Sequence, residues 1–215
     1  RTCNAADRTV RNSNGSLTME TIPLFPMHAV LFPHGRMFLQ VFESRYLDLI
    51  GQCMKEDSGF GLVWLKQGQE VYRSNELVDP QLAQIGTYAK IVDWDSLPSG
   101  LLGVTIEGSD RFRLLTSYQR KDHVHMGEVE WIETAGAIEL PENYAELWGL
   151  LQTLLDHPHV DRLKLNPVVN DVNAVSCLLA QLLPIEERVK FNLLAAAEPL
   201  DRMARIMTLL DQYSE

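Results

Sequence analysis

Nowhere in the chain do about 18 apolar residues run together, so no transmembrane helix is expected and no membrane partner. Basic charge is also short: 19 Lys and Arg stand against 29 Asp and Glu, a net charge of −10. An acidic chain repels phosphate backbones at long range, which disfavours nucleic acid as a partner. The best basic cluster, Arg111, Arg113, Arg120 and Lys121, is brief and interrupted by apolar residues. Cysteine is scarce too. Cys3, Cys53 and Cys177 are odd in number and widely scattered, and no Cys-x-x-Cys pair occurs, so neither a zinc site nor a disulfide framework is indicated. That usage suits a reducing cytoplasm. A G-x-x-x-x-G-K-[ST] phosphate loop is absent, and Gly59-Phe60-Gly61 lacks the third glycine of a dinucleotide fingerprint.

What is present is an ordinary globular balance, 46% apolar and 22% charged, over 215 residues. That length suits one large domain or two small ones. Residues 1–19 are expected to be a disordered leader. Arg1 to Thr18 is polar and rich in Asn, Ser and Thr, it has no apolar h-region, and Met19 directly precedes the first apolar motif.

Beyond the leader, Ile22-Pro23-Leu24-Phe25-Pro26 and Val30-Leu31-Phe32-Pro33 space prolines among large apolar residues. Proline lacks an N–H and pushes the preceding residue toward extended geometry, so this run enters a β-rich core. Met37, Leu39 and Val41 alternate with Phe38, Gln40 and Phe42, which predicts a strand apolar on both faces and therefore central. Ser44 is placed to cap a helix whose Tyr46-Leu47, Ile50 and Met54 recur at helical spacing. Phe60 to Leu65, bounded by Asp57-Ser58-Gly59 and Gln67-Gly68, predicts a buried strand. Further strands are predicted at Gly86 to Trp94, Leu102 to Gly108, Arg111 to Leu115 and His123 to Ile132. After Pro141 the period becomes helical. One stripe is Tyr144, Leu147, Leu151 and Leu154, another is Val172, Val175, Leu179 and Leu182, and a later one is Leu200, Met203, Met207 and Leu210. Pro184 and Pro199 fit first helical turns and divide the region into four short helices. Ile138 and Leu140 in the connecting segment are expected to contact one half or the other.

Candidates for chemistry are few. His123-Val124-His125 would put two imidazoles on one face of a strand beside Asp122, but no third ligand is evident. His157-Pro158-His159 reads as a polar loop. Ser176 and Lys190 fall on different predicted helices with no glycine-rich oxyanion segment nearby, which argues against a peptidase dyad. Glu186-Glu187 suits the first turn of a helix. Arg45 is spaced to pair with Asp48, and Glu43 is expected to find a donor on the Arg111–Arg113 strand or on free backbone, a fold-specifying role.

Several blocks carry a resemblance in the right order. They are Pro23, Leu24, Phe25, Pro26, Leu31, Phe32, Pro33 and Gly35, then an F-E-x-R-Y run from Phe42 to Tyr46, Phe60-Gly61, and Gly86-Thr87 with Ala89 and Ile91. The G-x-x-R-F-R element from Gly108 to Arg113, Leu182-Leu183-Pro184-Ile185, and Lys190 to Leu194 follow. From Glu20 to Tyr213 the chain resembles the N-terminal, substrate-binding domain of Lon proteases. The resemblance implies an α+β fold, a PUA-like β pseudo-barrel over residues 20–133 followed by a helical bundle over residues 138–215. In full-length Lon proteins this module precedes an AAA+ motor and a Ser-Lys peptidase, whose motifs are missing here. The implied protein is a free-standing, non-catalytic binding module without cofactor or metal. Its implied partners are unfolded or degron-bearing polypeptides, with a separate protease or chaperone. An open barrel edge would pair with an extended peptide while a groove between barrel and helices takes large apolar side chains, and Phe32, Trp64, Tyr88 and Trp94 are the candidate apolar anchors if exposed. The alternative, drawn from other PUA-like barrels, is a small-molecule or RNA site, with Trp64, Trp94 and Trp131 as the aromatic candidates.

Overall fold

The computed structural model describes residues 19–66, 79, 81–134, 136–165 and 171–214. The expected leader before Met19 and the Gln67-Gly68 flank lie outside them. The first strand, β1 (Met19–Met27), pairs with β6 (His125–Ile132) only as far as Leu24, and with β3 (Gly59–Leu65) only from Leu24 onward. Pro23 and Pro26 thus each lie where one edge of the strand has no partner, the setting that tolerates a missing N–H.

The sheet runs β2-β5-β4-β3-β1-β6 and closes through a further β5–β6 pairing, where β2 is Arg36–Val41, β4 is Leu82–Ser96 and β5 is Leu102–Gln119. All pairs are antiparallel except β1 with β3. The long β5 makes closure possible. Leu102 to Glu107 pair with β2, whereas Arg111 to Gln119 pair with β6. Ile22, Leu24, Val63, Phe112, Leu114 and Val129 fill the barrel. Gly61 and Gly86 leave room for the Phe112 ring, which a Cβ at either position would meet within 2.7 Å.

Helix α1 (Ser44–Glu56) packs against the inward residues of β2, β3, β4 and β5, burying Tyr46, Leu49, Ile50 and Cys53. Cys53, rather than the expected Met54, completes its buried face, and Met54 is exposed. The N-cap is Glu43, not Ser44, and its side chain makes no capping bond. A second correction concerns β2. It is an edge strand, paired with β5 alone among the described residues. Leu39 and Val41 enter the core while Phe38 and Gln40 face solvent, so its two apolar faces did not mean two buried faces.

The second half comprises a 3₁₀ turn (Glu142–Tyr144), α2 (Ala145–Leu155), α3 (Pro158–Asp161), α4 (Val172–Leu182), α5 (Glu187–Leu194) and α6 (Pro199–Ser214). Pro199 opens α6, whereas Pro184 lies in the α4–α5 connection rather than in a first turn. Val172 to Ala180 of α4 are all buried, which makes this helix the centre of the bundle. Ile138 and Leu140 pack on that core, and Val30 and Phe32 from the β half are part of it. Among the described residues no helix is long and apolar enough to cross a membrane.

Candidate binding cleft

Sheet closure leaves one gap. Past Leu24, β1 loses its β6 partner, and among the described residues β2 has no partner on the side away from β5. Between them opens a cleft of about 220 Å³. Phe25 and Met27 form one wall, Phe38 to Phe42 the other, and Glu43 and Tyr46 the end. Phe25 stacks on Tyr46 with ring centroids 4.0 Å apart. On the opposite wall Phe38 is 47% and Phe42 71% exposed, among the most accessible large apolar side chains of the described residues. The cleft therefore combines strand backbone free of a sheet partner with bare aromatic rings. Its charged member is neutralised locally: Arg45 Nη2 lies 2.8 Å from Glu43 Oε2 and Nη1 donates to His123 O at 3.1 Å. The Arg45 guanidinium also stands 4.6 Å from the Tyr46 ring centre. Glu43 thus takes Arg45, not the Arg111–Arg113 strand, and Arg45 takes Glu43, not Asp48.

The four expected anchors are not gathered in one place. Phe32 is fully buried in the helical core. Tyr88 is buried in the barrel, where its Oη accepts from Gly59 N–H at 2.6 Å and its ring meets Trp131 edge-on. Trp64 is half-buried against Phe191 of α5, centroids 5.3 Å apart. Trp94 alone stands in solvent, 57% exposed. It lies across from Val104, which in turn opposes Leu39, so it points to the opposite face of the β2-β5-β4 arm from Phe38. Phe38 and Phe42 were missed because their alternation with apolar neighbours hid the signal. Gln40 between them was the residue that marked a solvent face.

The other candidates resolve into structural roles. His123 occupies the β5–β6 turn with φ +65°, His125 is buried in β6, and the two do not share a strand face. His157 caps the single turn of α3 and stacks on His159. Among the described residues no three His, Cys, Asp or Glu side chains are grouped to hold a metal. Ser176 Oγ donates to Asn173 O, and Lys190 donates to Gln181 O and pairs with Glu187, so neither is poised as nucleophile or base. Glu187 also accepts from Val30 N–H at 2.7 Å, a tie between halves that its helix-terminal position did not reveal. The basic cluster is dispersed: Arg111 is buried, Arg113 pairs with Glu130 and Arg120 with Asp122. Trp64 packs on Phe191 and Trp131 on Tyr88 and Phe112, while Trp94 stands in solvent, so the three form no cage. Burial raises the thiol pKa of both Cys53 and Cys177, leaving them unreactive as nucleophiles.

A closed sheet plugged by one helix, backed by a helical bundle and open at one strand edge, defines an α+β module whose accessible feature is a surface. The chain belongs to the family described as the ATP-dependent protease La (LON) substrate-binding domain, which matches residues 21–212. It is 22% identical to Lon protease 1 of Bacillus subtilis over 207 residues, covering 91% of this chain and 25% of that protein. Against Lon protease of Haemophilus influenzae it is 24% identical over 204 residues, covering 92% of this chain and 25% of the relative. The chain thus spans about a quarter of the length of the curated relatives it matches. Among solved structures, the Lon N-terminal domain protein from Xanthomonas campestris superposes with a TM-score of 0.69 at 31% identity, covering 88% of this chain and 98% of that one. The N-terminal domain of the Mycobacterium avium complex Lon protease shares the fold at 13% identity, with a TM-score of 0.57 and coverage of 88% and 97%.

Proposed function

We propose that the protein is a non-catalytic polypeptide-binding module and that the β2 cleft is its site. The ligands are unfolded or degron-bearing chains, delivered to or received from a separate protease or chaperone in the cytoplasm. The observation that carries this reading is the edge of β2, without a sheet partner and bordered by the exposed rings of Phe38 and Phe42. An extended segment adds there as a strand, satisfying backbone groups that otherwise face water, while its alternate side chains cover the two rings. Main-chain pairing reads little sequence, which suits a module that samples many chains. Trp94 is a peripheral anchor on the other face of the same arm. Fluorescence anisotropy with labelled β-casein, an unfolded model polypeptide, tests the reading. A Phe38→Asp/Phe42→Asp variant should bind at least about tenfold more weakly, the loss expected of a central apolar anchor pair. Its melting temperature should fall by no more than a few degrees, because Phe42 is mostly exposed and Phe38 covers only the outer face of β5. No association of the unmodified protein, or undiminished affinity in the variant, would overturn the proposal.

A further inference from the structure

We infer that the segment received by the β2 cleft is an extended polypeptide carrying Lys or Arg beside its apolar residues. This rests on the polypeptide-binding reading above and names the chemistry of the ligand. The strand register supplies the argument. On the outer face of the arm, Phe38 lies across from Thr105 and Thr105 from Asp93, while Gln40 lies across from Gly103 and Gly103 from Asp95. The Phe38 ring leans over Gly103, where a Cβ would meet its Cζ at 2.7 Å. The ring therefore rests one strand from Asp95, and neighbouring strands are about 4.8 Å apart. A strand added at the free edge of β2 lies three strand spacings, about 14 Å, from β4, so a lysine or arginine laid over that ring covers the aromatic face with its methylene stem and feels both carboxylates through space, without touching them.

Glu107 on this face and Glu43 in the cleft each have a cation beside them. Arg36 is matched by Glu107 at 2.6 Å, and Lys90 lies across from the same Glu107, in a row nearer the barrel. In the cleft itself Glu43 is matched by Arg45. Among the described residues neither Asp93 nor Asp95 has an ion-pair partner. The chain's net charge of −10 adds a field of the same sign. An acidic segment is repelled from this surface and a basic one is drawn to it, whereas a second copy of the chain would bring the same negative charge.

The test compares two labelled peptides of equal length with identical apolar residues, one with flanking lysine and arginine and one with glutamate and aspartate. At low salt the basic peptide should bind about tenfold more tightly, the sum of one cation–ring contact and the through-space attraction of two carboxylates. The gap should narrow toward about 0.5 M salt. An Asp93→Asn/Asp95→Asn variant should lose most of the preference while its melting temperature and its affinity for β-casein at high salt stay the same. Equal binding of the two peptides, or a preference undiminished in the variant, would overturn this inference and leave the polypeptide-binding reading standing. Failure of both peptides and of β-casein to bind would overturn both. So would light scattering that showed a dimer broken by Phe38→Asp/Phe42→Asp, with no peptide effect.

Discussion

Arg202 is the largest fully buried side chain of the described residues, and no carboxylate touches it. Its donors go to Leu193 O at 3.0 Å, Asn173 Oδ1 and Ser176 Oγ at 3.1 Å, and Cys177 Sγ at 3.1 Å. Nearby, the buried Arg111 of β5 donates to Leu194 O and Ala196 O, both at 2.7 Å. Burial, and then Arg202 beside it, lowers the Arg111 pKa from its ordinary value. The acceptors are carbonyls at the C-terminal end of α5, where the helix dipole is negative, so a helix end substitutes for a counter-ion. Arg202→Met should cost about 3 kcal/mol, since it strands several buried acceptors at once. Arg202→Lys should recover only part of that, because a single ammonium cannot reach both α4 and the end of α5. Urea midpoints decide it, and a Met variant as stable as the parent would refute this account.

Cys177 sits inside the same cluster, fully buried. Burial raises its pKa above the ordinary 9.0, outweighing the lowering by Arg202 and Arg111. Above that value the unfolded chain sheds a proton that the folded chain retains, so stability falls as pH rises past about 9. Cys177→Ala should flatten that alkaline decline between pH 8 and pH 10, measured by urea midpoints at each pH. An identical slope in both proteins would exclude Cys177 as the source.

At the scale of elements, the G-x-x-R-F-R run of β5 divides its work by face. Gly108 meets the loop before β2: its N–H donates to Gly35 O, its carbonyl accepts from His34 N–H, and each bond is 2.9 Å long. A Cβ there would sit 2.2 Å from Phe32 O, a backbone atom that no rotamer change can move aside. Gly108→Ala should therefore destabilise by about 2–3 kcal/mol. Gly100→Ala in the β4–β5 turn meets nothing within 4 Å but stands at φ +79°, so its cost is conformational only, about 1 kcal/mol. Thermal melts of the pair should keep that order, and a reversed order would show that the loop gives way easily. The same run places Arg111 in the α5 latch and Phe112 in the barrel, so three neighbouring residues serve three different parts of the fold.

Across the whole molecule, the β half and the helices are tied at several points. Phe32 N–H donates to Gln181 Oε1 at 2.9 Å and Val30 N–H to Glu187 Oε2 at 2.7 Å. Arg36 Nη1 donates to Lys164 O at 2.7 Å, and Arg111 reaches the end of α5. Val30 and Phe32 are core residues of the bundle although they precede β2 in the chain. A barrel that lends core residues to its neighbour cannot lose that neighbour cheaply. The protein should unfold in one transition, with the helical circular-dichroism signal and tryptophan fluorescence sharing a urea midpoint. Two separated midpoints would show that the ties are weaker than their geometry suggests.

Local pattern was enough for most strands, for most helical stripes and for the family, although it read the single β5 as two strands, Leu102 to Gly108 and Arg111 to Leu115. Proline spacing, alternation and a 3.6-residue period each reflect backbone sterics and burial within one element. The same pattern placed Ile138 and Leu140 against a core without saying which. It also showed that Phe38 and Phe42 share a face, but not that this face has no partner. It offered Phe32 and Tyr88 as anchors although one fills the bundle and the other the barrel. Which faces meet is decided by contacts between residues far apart in the chain, and those exist only once β5 has curled far enough to pair with β2 at one end and β6 at the other. The open edge of β2, its bare rings and the carboxylates beside them are products of that closure, so only the tertiary structure could place them together.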